Sequence, residues 1–472
     1  MANNHEEIYQ SGELVQLNSQ KSACCDNRDL PGVFIKTFGC QMNEYDSEKL
    51  LTILEGRYRP VDSPEQAKLL LVNTCSVREK PEHKLYSYVG KLRELKLEDS
   101  EVMIGVGGCV AQQEGENIIK RSADVDFVFG THNLSLVPSL IDMRLKGHLP
   151  QVAVDYRDEW EDLPLGLPNR GRVSVFISIS RGCNKNCTYC IVPTTRGPEV
   201  SRSPQEILTE ARIAAHRGAK EVVLLGQTVN SYGLDLSPRM KFVELLSKVS
   251  EIEGIERIRF TSPHPQEIRK DFYDLVATNP KVCRHVHMPL QSGSDRILKS
   301  MNRNYRKKRY LDIISGLKQR VPDIAVTTDI IVGFPGESRE DFLETLEVMK
   351  EVEFDSSFSF IFSPRPGTVA AEMEDQVEHS EKLERLQELQ ALQNVHTTKR
   401  LEQWQGKVAE VLFDGFSKSD AKKLQGRTSQ NLVVNMQQES TKIGPGMLAQ
   451  VELSGVSRYT LKGSFASSAA VS

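Results

Sequence analysis

Residues Arg181 to Gly197 read RGCNKNCTYCIVPTTRG, with Cys183, Cys187 and Cys190 at C-x3-C-x2-C spacing. Three thiolates this close form a soft-metal site. A structural zinc site closes with four Cys or His ligands, and no fourth cysteine lies nearby in sequence. A catalytic zinc accepts three protein ligands, but three thiolates would blunt its Lewis acidity. Iron–sulfur clusters take one thiolate per iron, so three on a four-iron cluster leave one iron open. Arg181, Lys185 and Arg196 flank the loop and favour thiolates and an anionic cluster.

Stepping along the chain, a strand over Val173–Ser180 delivers the triplet directly, on the carboxyl-end face where barrel enzymes hold their sites. Further strands are predicted at Glu221–Leu225, Ile255–Phe260, His285–Met288, Ile324–Val332 and Ser357–Phe362, with helix-length segments between them. Six such βα units make an incomplete barrel over 173–399. Its last helix carries Leu383, Leu386, Leu389 and Leu392 at core-packing spacing.

Three more cysteines end short apolar runs upstream: Cys40 after VFIKTFG, Cys75 after LLLVNT and Cys109 after VMIGVGG. Each run is followed by a helix-compatible stretch, the rhythm of a parallel α/β sheet over 31–154. In the first of these stretches Tyr45, Leu50, Leu51 and Leu54 share a face. Ligands bind at the carboxyl ends of parallel strands, so Cys40, Cys75 and Cys109 are expected to meet in space. Residues 1–30 read as a disordered tail in which Cys24 and Cys25 are incidental, and 155–172 as a charged, Pro-containing linker. Over 400–466, short strands separated by polar turns suggest a small antiparallel barrel, with a polar tail at 467–472. From 400 to the end, nine Lys and Arg stand against six acids, +3 in a chain of net charge −4. Such barrels commonly hold RNA.

The 472 residues carry 39% hydrophobic and 26% charged residues, an ordinary globular balance. The whole-chain charge gives no support to nucleic-acid binding, so any basic surface must be local. There is no long apolar run and no basic-then-apolar start. The expectation is a cytoplasmic protein with no membrane association, whose nine cysteines are metal-binding or catalytic rather than disulfide-bonded.

The triplet, with Tyr189 before its last cysteine, resembles the signature of the radical S-adenosylmethionine superfamily. The open iron would chelate the amine and carboxylate of S-adenosylmethionine, and an electron would split it to methionine and a 5′-deoxyadenosyl radical. Both cysteine sets, followed by a small basic barrel, resemble the methylthiotransferases from about Phe34 to Phe465. The resemblance implies three domains: an N-terminal domain with an auxiliary 4Fe–4S cluster on Cys40, Cys75 and Cys109, a radical domain with the second cluster, and an RNA-binding TRAM barrel. The stretches FGCQMNEYDSE, LLGQTVNSYG, TDIIVGFPGES and FSPRPGT are similar to the MiaB type. That type methylthiolates C2 of isopentenyladenosine at tRNA position 37. The RimO type, which modifies a ribosomal-protein aspartate, differs at the first cysteine, and threonylcarbamoyladenosine in tRNA is a third substrate to weigh. Thr195 and Thr228 stand where Tyr and Asn are commoner.

Tyr189, Gln227 and Asn230 are candidate S-adenosylmethionine contacts, and Cys283 is read as packing. The implied partners are the tRNA anticodon stem-loop, an electron donor and a sulfur source, with the protein a monomer. Two readings from other classes stay open: a radical methylase that uses the second cluster only for electrons, and a zinc-stabilised RNA-binding protein.

Overall fold

Residues Glu7–Gln10 (β1) and Glu13–Gln16 (β2) pair as an antiparallel ribbon, Ile8 opposite Val15. The expected structureless tail therefore contains two strands, each four residues long and too short to show a periodicity. The computed structural model describes residues 7–10, 13–16, 29–76, 79–157, 160–161, 163–165, 171–418, 420–438 and 443–465. Cys24, Cys25 and the 467–472 tail lie outside them.

The chain divides into two compact units, the first comprising residues up to Arg170 together with Phe176–Lys185 and Ile191–Ala214. Its sheet joins β3 (Gly32–Thr37), β4 (Arg59–Pro60), β5 (Leu69–Thr74), β6 (Met103–Gly108), β7 (Phe127–Phe129) and β8 (Gln151–Ala153). The order is β4-β3-β5-β6-β7-β8, parallel throughout. Every residue of β5 and β6 is buried, as central parallel strands require. Alternation splits β5 between two cores. Leu69 and Leu71 pack with Leu50, Leu54 and Phe127, while Leu70 and Val72 pack with Leu85, Ile104 and Val110. Leu50 and Leu54 of the expected helical face are core, whereas Tyr45 is buried in a charged cluster. The same unit holds the ribbon β10 (Ser180–Arg181) with β11 (Val200–Ser201), the helix Val192–Arg196 and the helix Pro204–His216 as far as Ala214.

In the second unit the six expected barrel strands are all present: β9 (Ser174–Ser178), of which Ser174 and Val175 belong here, β12 (Glu221–Leu225), β13 (Arg257–Phe260), β14 (His285–His287), β15 (Ala325–Val332) and β16 (Ser356–Ile361). They form two three-stranded sheets, β13-β12-β9 and β14-β15-β16, linked by one parallel bridge between Ile258 and Val282. The helix His379–Glu402 follows. Its buried stripe is not the leucine stripe expected from sequence. Lys382, Arg385, Leu389, Gln393 and His396 face inward while Leu383 is exposed. The reason is pairing: Arg385 meets the buried Glu337 at 2.6 Å, and Gln393 donates to the Phe354 carbonyl.

The chain ends in a closed barrel of β17 (Val408–Ser417), β18 (Asp420–Thr428), β19 (Val433–Gln437), β20 (Leu448–Ser457) and β21 (Thr460–Phe465), in the order β17-β18-β19-β21-β20. All pairs are antiparallel except β19 with β21. Val411, Phe413, Leu424, Val451 and Leu461 fill it. The polar run of β18, DAKKLQGRT, gave no strand signal because few of its side chains face the core. No helix among the described residues is long and apolar enough to cross a membrane.

Candidate metal centres

Cys75 and Cys109 each follow a strand whose last residues are in register, Thr74 opposite Gly108, so the two cysteines leave neighbouring strand ends together. β3 reaches the same edge through Phe38, whose N–H donates to the Asn73 carbonyl at 2.8 Å, two residues before Cys40. Gly39 makes the approach possible. At φ +125°, a Cβ there would lie 2.1 Å from the Cys75 Cβ. Gly108, at φ +92°, likewise passes the Thr74 carbonyl where a Cβ would come within 2.3 Å.

The three cysteines thus follow neighbouring strand ends on one edge of the sheet. A hydrogen bond from Cys75 lowers the Cys40 thiol to about 6 against the opposing effect of burial, aided by Arg196 and the backbone of Asn43 and Met42. Cys40 caps the helix Gln41–Ile53, a position that favours thiolate. Burial pushes the Cys109 thiol up, and Arg196 opposes it. Arg196 belongs to the second motif in sequence, yet its guanidinium serves this first trio, held by Asp46 at 2.7 Å. Its expected place beside the triplet is corrected accordingly: the short helix Val192–Arg196 carries the side chain inward. Asn43 and Asn73 lock the edge, with Asn43 Nδ2 donating to Asn73 Oδ1 at 3.0 Å and to the Thr74 carbonyl at 2.8 Å.

The second motif is a loop between β10 and the helix Val192–Arg196. Cys183 N–H donates to the Gly197 carbonyl at 3.1 Å, and the Lys185 N–H donates to the Cys183 sulfur at 3.4 Å. Arg181 is buried, donates to the Arg157 carbonyl at 2.7 Å and stacks over Trp160. In the second unit, Cys187 and Cys190 form a turn closed by Cys190 N–H on the Cys187 carbonyl. Arg303 Nη1 donates to the Cys187 sulfur at 3.2 Å, and Thr188 is anchored to the carbonyls of Met301 and Ser300. Tyr189 packs edge-on against Phe334 of the VGFPGES turn, with centroids 6.5 Å apart. Among the described residues no three His, Cys, Asp or Glu side chains are grouped for one metal ion. Thiols spread over three strand ends suit a multi-iron group with one thiolate per iron.

The other expected contacts divide. Gln227 follows β12, and its Oε1 is buried without a hydrogen-bond partner among the described residues. Asn230 is engaged within the protein. Its Nδ2 donates to the His264 carbonyl and its Oδ1 accepts the His264 N–H, at 2.9 and 2.7 Å. Cys283 is buried, and that burial raises its thiol, as packing predicts. Sequence reasoning missed Arg303, Asn43, Asn73 and Asp46. An asparagine inside the apolar run LLLVNTC was the one available signal.

Comparison with known proteins agrees with this organisation. The radical SAM superfamily model matches residues 177–349, and a model described as uncharacterized protein family UPF0004 matches residues 32–130. The chain is 48% identical to the tRNA-2-methylthio-N(6)-dimethylallyladenosine synthase of Acidovorax sp. strain JS42, over 91% of this chain and 96% of that protein. It is 45% identical to the enzyme of the same name from Thermoanaerobacter pseudethanolicus, over 91% of each. Among solved structures, the radical S-adenosylmethionine methyltransferase TsrM from Kitasatospora setae, with cobalamin and a 4Fe–4S cluster bound, shares the fold. The TM-score is 0.54 at 13% identity, over 72% of this chain and 74% of that one. Two cysteine trios on two matched family segments, with near-full-length relatives, lead to one conclusion: the chain belongs to the methylthiotransferase family of radical S-adenosylmethionine enzymes, in its tRNA-2-methylthio-N(6)-dimethylallyladenosine synthase branch.

Proposed function

We propose that this chain methylthiolates C2 of isopentenyladenosine at tRNA position 37, with two 4Fe–4S clusters and S-adenosylmethionine. Cys183, Cys187 and Cys190 would hold the radical cluster, and Cys40, Cys75 and Cys109 the auxiliary one. Bound there, these groups supply the carbon radical and the sulfur handling that no amino-acid side chain provides. The partners are the tRNA anticodon stem-loop, an electron donor and a sulfur source, with the protein a cytoplasmic monomer.

The chain's own residues position and polarise. Arg303 directs positive charge at the Cys187 sulfur, and Arg196 does the same for Cys40 and Cys109. Gln227 offers a buried acceptor beside the strand ends for the amine or ribose of the cofactor. A C–H bond on an aromatic base has no useful acidity, which is why the site needs no paired acid and base.

The observation that supports this reading is the placement of Cys40, Cys75 and Cys109 just past adjacent strand ends, beside Arg196. A radical methylase that uses the second cluster only for electrons would share it and differs in its product. Mass analysis of tRNA nucleosides after anaerobic reconstitution tests it. A methylthio mass on isopentenyladenosine is expected. A methyl without sulfur, or a mass on threonylcarbamoyladenosine, would replace the reading. Cys187→Ala should abolish 5′-deoxyadenosine, while Cys75→Ala should still release some and leave the tRNA unthiolated.

A further inference from the structure

A cavity of about 500 Å³ lies within the second unit, lined by the start of β14, β15 and β16, the helix His379–Glu402 and the terminal barrel. None of the six cluster cysteines lines it. It reaches β15 at Thr327, near the beginning of that strand, whereas the VGFPGES turn that meets Tyr189 follows the strand's end. It is therefore distinct from the cofactor edge.

Its lining combines apolar side chains, Leu401, Leu432 and Val433, with many neutral hydrogen-bonding groups. Gln390, Gln393 and Asn394 present amides from one face of the helix, and Gln430 and Asn431 present two more from the loop between β18 and β19. No Lys or Arg appears among the described lining residues. Asp355 is paired with Arg400 at 3.0 Å, and burial keeps His285 well below the ordinary histidine range and hence neutral. Phosphate has nothing to meet here. A neutral, hydrogen-bonding group does.

Gln393 gives the sharpest indication. It is 6% exposed. Its Nε2 donates to the Phe354 carbonyl at 2.8 Å and to Thr397 Oγ1 at 3.1 Å, which fixes the amide's orientation. Its Oε1 is buried with no partner. A buried acceptor left unsatisfied costs stability unless a ligand or water meets it. At the barrel side stands Tyr459, 52% exposed, its hydroxyl donating to Asn394 Oδ1 at 3.1 Å. An exposed aromatic beside a set of amides is the equipment that holds an unpaired base, by stacking on its face and hydrogen bonding to its edge.

We propose that this cavity takes one unpaired nucleobase of the bound RNA, other than the base that reacts, with its ring on Tyr459 and its polar edge on Gln390, Gln393 and Asn394. The inference rests on the proposed tRNA substrate, and names a second contact that would fix the RNA's register. β13 ties the barrel wall in place: Arg259 donates to the carbonyls of Thr428 and Ser429 at 2.7 and 3.0 Å. The volume is within the range of small-ligand sites and large enough for a single nucleoside.

The test is the affinity of the full-length protein for a labelled anticodon stem-loop, measured across a salt series. Tyr459→Ala is expected to weaken binding about tenfold or more, the effect of losing one stacked base. The slope of log affinity against log salt should not change, because no phosphate contact is removed. Tyr459→Phe, which keeps the ring, should bind within about twofold of the parent. Photo-crosslinking of 4-thiouridine-substituted RNA to the unmodified protein should label a peptide containing Tyr459 or residues 390–394, a result that needs no variant to fold. Unchanged affinity in Tyr459→Ala, or an altered salt slope, overturns the proposal. Tight binding of free adenosine, guanosine, cytidine or uridine in the cavity, without crosslinking to RNA, would assign it to a nucleoside instead. Parent protein that does not bind the stem-loop would overturn both this proposal and the tRNA reading, whereas parent binding with an indifferent Tyr459 overturns only the cavity.

Discussion

Arg303 Nη1 and the sulfur of Cys187 stand 3.2 Å apart, and Arg303 is itself held by its Nε on the Tyr305 hydroxyl at 3.1 Å. Tyr305 in turn donates to the Leu290 carbonyl at 2.9 Å. Arg303 is 7% exposed, so its charge acts on the sulfur through little water. A donor on a ligand sulfur stabilises the more negative, reduced cluster. Arg303→Gln should therefore move the radical cluster's potential to more negative values and slow 5′-deoxyadenosine formation about 10- to 100-fold. Redox titration followed by electron paramagnetic resonance reads the first effect; an unmoved potential would remove Arg303 from this role.

Gly39→Ala separates the two trios. The added methyl meets Cys75 at an impossible 2.1 Å, so the edge that gathers Cys40 and Cys75 must open. On the proposed assignment of a cluster to each trio, the expected result is loss of roughly half the bound iron and sulfide. Cofactor cleavage should persist and methylthiolation should fail. Full iron content in the variant would show that Cys75 is not a ligand.

Glu210 is buried between Lys49 and Arg202, with the Tyr45 hydroxyl also on it. Burial alone would raise its carboxyl, but Arg202 and Lys49 win and hold it below the usual range. Its folded value is below the unfolded value of about 4.3, so its contribution is present above that pH and is lost as pH falls through the folded value. Glu210→Gln leaves two buried cations and should cost about 3–5 kcal/mol in denaturant unfolding at neutral pH. The difference between parent and variant should shrink below about pH 4; a pH-independent difference would mean packing rather than charge.

Gln227→Ala removes the buried Oε1 acceptor that no described protein group satisfies. The KM for S-adenosylmethionine should rise about tenfold, the scale of one buried hydrogen bond. Stem-loop affinity should stay at the parent value, which steady-state kinetics and a binding titration check together.

The cysteine spacing and the strand-end positions were determined by the sequence alone, because a parallel α/β sheet places consecutive strand ends on one edge. From the run LLLVNTC to the strand Leu69–Thr74, and from Glu221–Leu225 to β12, local pattern and observed element agree. The tertiary structure decided which face a charged side chain takes. Arg196 sits in the triplet's motif but turns to Asp46 and the other trio, and the helix His379–Glu402 buries Lys382, Arg385 and Gln393 in preference to Leu383. Hydrophobic periodicity cannot foresee either. A buried polar group is stabilised only by a partner, and the partners of Gln393, Arg385 and Arg196 lie 39, 48 and 150 residues away in the chain.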